Sequence, residues 1–115
     1  MSYDVRLKDS EDKTVKVEAH EEGGTYALGG TPTAELNVTY NYSKVLVEIW
    51  DGESLSLLNG KKASKVTKLL EDSVKVLGTE QDADYWKATE GNVGYALNIL
   101  LGWAKQYPDS TFEVV

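Results

Sequence analysis

The sequence predicts an α+β fold, an antiparallel β-sheet with two α-helices packed on one face, in a single domain covering residues 1–115. Three observations lead there. Apolar and polar residues alternate with the period of half-buried strands at several places in the first fifty positions. Two later stretches, 61–77 and 89–107, change to the three-four spacing of amphipathic helices. A length of 115 residues suffices for one modest core and leaves no room for a second.

Residues 2–19 read as an antiparallel hairpin. Tyr3, Val5 and Leu7 alternate with Asp4, Arg6 and Lys8, Val15 and Val17 repeat the pattern, and Asp9, Ser10, Glu11 and Asp12 supply turn residues between them. His20 and Glu21 start like the zinc-protease motif H-E-x-x-H, but Gly24 stands where the second histidine is needed, so the motif is absent. As the only histidine, His20 cannot build a typical zinc site alone and suits a surface or strand-end position.

Gly23, Gly24, Gly29 and Gly30 bracket Thr25–Leu28. Glycine doublets let a backbone approach a ligand or another chain, and equally make two tight turns around a short strand carrying Tyr26. Neither a P-loop nor a G-x-G-x-x-G fingerprint fits here. The cleanest alternation follows: Leu36, Val38, Tyr40 and Tyr42 should face the core, with Glu35, Asn37, Thr39 and Asn41 on the other side. Asparagine is a poor strand former, and two at alternate positions make sense where amides bond a ligand or a neighbouring segment.

Residues 44–50 (KVLVEIW) fit two elements. Val45, Val47 and Ile49 alternate like a strand, Leu46 and Trp50 add helical spacing, and propensity favours the strand. Asp51-Gly52 and Asn59-Gly60 are turn signals. In the first helix Val66, Leu69, Leu70, Ser73, Val74 and Leu77 form the buried stripe, and Gly78 suits the left-handed (αL) residue after the last turn. Lys61, Lys65 and Lys68 line one flank, a solvated face or a mild sign of an anion nearby. Thr89 is placed to N-cap the second helix, whose stripe is Val93, Ala96, Leu97, Leu100, Ala104 and Tyr107, with Pro108 as its stop. Gly91 and Gly94 near its start cost helix stability unless something packs against that backbone, either an anion or a neighbouring element. Residues 111–115 read as a final strand.

Composition narrows the function. Hydrophobic residues at 41% and charged residues at 27% are ordinary for a soluble globular protein. No run approaches the about 20 apolar residues of a membrane span, and the polar start is unlike a signal peptide, so the expectation is a cytoplasmic protein. Zero cysteines exclude disulfides, thiolate metal sites and a cysteine nucleophile. The net charge of −7 argues against duplex nucleic acid as a partner. Residues 1–60 hold five basic against eleven acidic residues, and 61–115 hold seven against eight. Such acidity serves solubility, docking to a basic partner, or mimicry of nucleic acid.

GGTYALGG at 23–30, LNVTYNYS at 36–43, LLEDSVKVLG at 69–78, DADYWKATEGN at 82–92 and ALNILLGWAKQYPD at 96–109 together resemble a family of small proteins encoded by phages and prophages, mostly of Gram-positive hosts. The chain departs from that pattern at Ala88, where the family has proline, and across 44–62, where the family is more aromatic. The resemblance implies a setting rather than an activity: a small protein acting in the cytoplasm of an infected bacterium, where phage accessory proteins often counter host defence.

In that setting the leading expectation is a non-enzymatic pocket that sequesters a small anionic ligand, a cyclic or ADP-ribose-type nucleotide signal. Tyr26, Tyr85 or Trp86 would stack on a base, and Asn37, Thr39 and Asn41 would read polar edges. Lys87 and the helix start at Thr89, Glu90, Gly91 and Asn92 would hold phosphate. No cofactor and no metal are expected, and a homo-oligomer would complete the pocket between subunits. The alternative is an acidic inhibitor that docks on a host defence protein and blocks it. Catalysis is the weakest class, with carboxylate chemistry at Asp82, Asp84 and Glu90 the one route left open.

Overall fold

The computed structural model describes residues 2–17, 25–27, 33–84 and 86–115. His20, the glycine doublets at 23–24 and 29–30, and Tyr85 lie outside the described residues. The fold is α+β, with strands β1 (Ser2–Lys8), β2 (Thr25–Ala27), β3 (Glu35–Thr39) and β4 (Thr111–Val114), and helices α1 (Ser43–Ile49), α2 (Ala63–Leu77) and α3 (Glu90–Gln106). The strands form one antiparallel sheet in the order β2-β3-β1-β4.

β1 is central because its two faces meet different requirements. The register sets Tyr3 opposite Val38, Val5 opposite Leu36 and Val114, and Leu7 opposite Phe112. That face belongs to the core shared with the helices, where Val5, Leu7 and Leu36 are fully buried. The other face sets Arg6 opposite both Glu35 and Glu113. Its guanidinium reaches one carboxylate from Nε and the other from Nη1, each at 3.3 Å, so three strands are tied by one side chain. Cross-strand pairs of this kind fix register, because a one-residue slip would turn the charges inward.

The expected hairpin over 2–19 is only begun. Asp9 closes the turn by accepting the Glu11 and Lys13 amides on Oδ1, at 2.9 and 3.0 Å, and the Val15 amide reaches the Leu7 carbonyl at 2.9 Å. The returning chain then bridges Lys16 to Thr33 instead of continuing along β1, whose edges are taken by β3 and β4.

Residues 43–49 form a helix, which corrects the strand favoured by propensity and adds a third α-helix, among the described residues, to the two expected. Helical spacing wins because Leu46 and Trp50 both reach the core. The Trp50 indole N–H donates to Ser73 Oγ at 2.9 Å, and that hydroxyl donates to the Leu69 carbonyl at 2.7 Å, which fastens the end of α1 to α2. A strand would have buried Val47, which is exposed. The strand expected to reach Tyr42 ends at Thr39, whose Oγ1 accepts the Asn41 amide at 3.2 Å and starts a 3-10 turn over Tyr40–Tyr42.

α2 and α3 pack together through the link between them. Gly78 takes a positive φ of 74° at the end of α2, and residues 78–80 then run against the first turns of α3. A Cβ on Gly94 would stand 1.7 Å from the Gly78 carbonyl oxygen, and one on Gly91 1.8 Å from that of Glu80. The two glycines are therefore sites of backbone-to-backbone approach, inside the molecule.

Candidate functional site

Residues 82–84 and 86–89, ahead of α3, wind around Asn92. Asn92 is fully buried in the first turn of α3. Its Oδ1 accepts the Asp82 amide at 2.9 Å, and its Nδ2 donates to the carbonyls of Asp84 and Lys87 at 3.1 and 3.0 Å. Both donors and the acceptor of this amide are thus used, as burial demands. Two aspartates tighten the loop from within: Asp82 Oδ1 accepts the Asp84 amide at 2.8 Å, and Asp84 Oδ1 accepts the Trp86 amide at 3.1 Å. Thr89 caps α3 as its sequence position predicts, its Oγ1 accepting the Asn92 amide at 3.1 Å.

The turn after β3 meets this loop. Asn41 Nδ2 donates to the Trp86 carbonyl at 3.0 Å, joining two stretches 45 positions apart. Tyr42, next in the chain, is fully buried. Burial first, and then the negative charge of Asp84, push its phenol well above the ordinary range. Trp86 is 45% exposed and Tyr40 39% exposed, and the Tyr40 ring meets Tyr3 edge to face with centroids 4.5 Å apart.

The residues expected to hold a ligand fall into different roles. Asn37 and Thr39 are not on an open face: both are buried. Asn37 Nδ2 donates to Ser2 Oγ at 2.6 Å and Asp4 Oδ1 at 3.0 Å, a neighbouring-strand contact rather than an outward display. Asn41 has left the strand for the 3-10 turn. Gly91 and Asn92 do not form an open anion pocket at the start of α3, because residues 78–80 cross one and the backbone of Asp82, Asp84 and Lys87 fills the bonds of the other. Lys87 is exposed and forms no ion pair among the described residues. Tyr26 lies in β2, in register with Asn37. The structure thus brings Asn41 to Trp86 and sets Thr89 and Asn92 behind them, while Asn37 and Thr39 are occupied elsewhere.

Two open furrows flank Thr89. One, of about 540 Å³, lies between α1, the last turn of α2 and the start of α3, with Val45, Ile49, Val76 and Ala88 among its lining residues. The other, of about 380 Å³, shares Leu77 and Thr89 with the first and adds Glu80, Gln81 and Asp82. Sequence reasoning missed the first furrow because it needs α1 to be a helix. Val76 was the available signal: it stands off the buried stripe of α2 and is 68% exposed. No cluster of carboxylates or histidine suited to a metal ion occurs among the described residues. No helix of the described residues is long and apolar enough to cross a membrane.

Comparison with protein-family models, with curated proteins and with solved structures gives no match, so geometry is the ground for function here.

Proposed function

We propose that the protein is a non-enzymatic binding protein that docks on another protein, using Tyr40, Trp86 and the adjoining furrow as its contact face. One observation carries this: the polar side chains best suited to grip a small ligand are spent on the protein's own chain, while two aromatic side chains stand exposed beside them. Asn37, Asn41 and Asn92 each bond internal partners, and Trp86 and Tyr40 are the exposed aromatics next to the Asn41 contact. Exposed tryptophan and tyrosine on a braced backbone are common anchors of protein interfaces. The furrow is also a poor anion site, since Glu48 and Glu90 line it with Lys44 as its one cation. In the phage setting implied by the sequence resemblance, the partner would be a host defence protein and the effect its blockade.

A photo-crosslinking amino acid at position 86, introduced in bacteria, tests this. The expected result is a discrete adduct with one host protein, whose affinity for the purified chain falls at least about tenfold on Trp86→Ala. Calorimetry against cyclic and ADP-ribose-type nucleotides is the opposing arm. Saturable nucleotide binding lost on Trp86→Ala, with no adduct, would replace docking by ligand sequestration and give Trp86 a stacking role.

A further inference from the structure

We infer that the furrow between α1, α2 and α3 takes a cationic amphipathic segment of the partner, with an apolar side chain on its floor and basic side chains at its acidic margins. This rests on the docking function proposed above and assigns the chemistry of the partner. The floor is apolar and comes from two helices: Val45 and Ile49 from α1, Val76 and Leu77 from α2. Val76 breaks the pattern of its own helix. Its outward neighbours along α2 are Lys65, Lys68, Asp72 and Lys75, all exposed, and an exposed valine among them leaves apolar surface in water along the furrow.

The margins are mostly acidic, with Lys44 as the one cation among the lining residues. Glu48 and Glu90 border the apolar furrow, and Glu80 and Asp82 border the smaller one that continues from it past Leu77 and Thr89. None of these carboxylates forms an ion pair among the described residues. Several acids elsewhere are matched: Glu35 and Glu113 by Arg6, Asp72 by Lys68, and Glu71 by Lys75 and Lys105. An apolar floor with unmatched acids on its margins complements a helix that has an apolar stripe between basic flanks. It disfavours a nucleotide or an anionic membrane, which would meet four carboxylates and a net charge of −7.

The test uses synthetic helices of about 18 residues, long enough for a full apolar stripe. A fluorescent Leu/Lys amphipathic peptide, its Leu/Glu counterpart and a scrambled Leu/Lys peptide are titrated with the intact protein and followed by anisotropy. Only the amphipathic Leu/Lys peptide should bind saturably, and its affinity should fall as salt rises. Val76→Arg and Glu48→Lys should each weaken it at least about tenfold, and Glu11→Lys, outside the furrow, should stay within about twofold. Both furrow positions are exposed, and a thermal melt checks that the variants fold.

Equal binding of the scrambled peptide, or indifference to Val76→Arg and Glu48→Lys, overturns the inference. So does a dimer in sedimentation that those substitutions dissociate, since a second copy would then be the occupant. Failures of the two proposals are separable. A position-86 adduct whose partner ignores Val76→Arg and Glu48→Lys defeats the furrow and leaves docking intact. Absence of any adduct with peptide binding intact defeats the docking face instead.

Discussion

Asn41 donates its side-chain amide to the Trp86 carbonyl at 3.0 Å, so the turn leaving the sheet holds the loop that carries the most exposed tryptophan described. The bond is at the surface, and its loss should cost only about 1 kcal/mol of global stability. Locally the effect should be larger. Asn41→Ala is expected to speed amide hydrogen exchange across 82–88 while leaving β1 and α2 protected, a contrast that exchange mass spectrometry resolves.

Asn92 organises the same loop from inside. Removing its amide leaves the Asp84 and Lys87 carbonyls and the Asp82 amide without their partner at a part-buried site. Asn92→Ala should therefore destabilise by about 3 kcal/mol, seen as a lower urea midpoint with an unchanged slope. Asn92→Asp keeps the shape but points an anion at two carbonyl oxygens, and it should be the worse of the two at neutral pH.

Three glycines of α3 should respond in opposite directions to one methyl group. Gly94→Ala and Gly91→Ala push a Cβ into the carbonyls of Gly78 and Glu80, and each should cost about 3 kcal/mol or more. Gly102 has nothing within 4 Å of where a Cβ would sit. There Gly102→Ala should stabilise by about 0.5–1 kcal/mol through helix propensity. Thermal unfolding of the three variants measures the difference in sign.

Tyr42 predicts an alkaline limit. Burial and Asp84 raise its phenol above the usual 10.0, so the folded state holds the proton more tightly than the unfolded chain does. Its contribution is whole below about pH 10 and is lost as pH climbs through the folded value, because the unfolded chain ionises first. Of the seven tyrosines, at least one should keep its proton until the protein unfolds, as read from phenolate absorbance. Tyr42→Phe should remove that late step and flatten the loss of stability above pH 10.

Features set by a residue's own backbone were legible in advance. Thr89 was readable as an N-cap and is one, and the alternation in β1 and at Leu36 and Val38 matches the buried face of the sheet; Gly78 has a positive φ of 74°, but its ψ of −178° is extended rather than the left-handed helical turn expected there. The candidate site was half legible. Trp86, Asn41, Thr89 and Asn92 do converge, but their use was hidden. An asparagine at an alternate strand position looks the same in sequence whether its amide faces solvent or, as at Asn37, is bonded to Ser2 and Asp4.

Hydrophobic spacing and capping chemistry, which act within a few residues, determined by themselves the α+β class, the two long helices and most strand positions. Tertiary contacts decided the rest. Residues 43–49 are a helix because Trp50 finds Ser73 across 23 positions, a gain that outweighs the weak β-propensity of a short valine-rich run. Gly91 and Gly94 serve the crossing of residues 78–80, and the furrow with Val76 on its floor exists only once α1, α2 and α3 are together. Local preferences amount to tenths of a kcal/mol per residue, whereas one buried, bonded side chain contributes about 1 kcal/mol or more, so the fold settles what the local pattern leaves open.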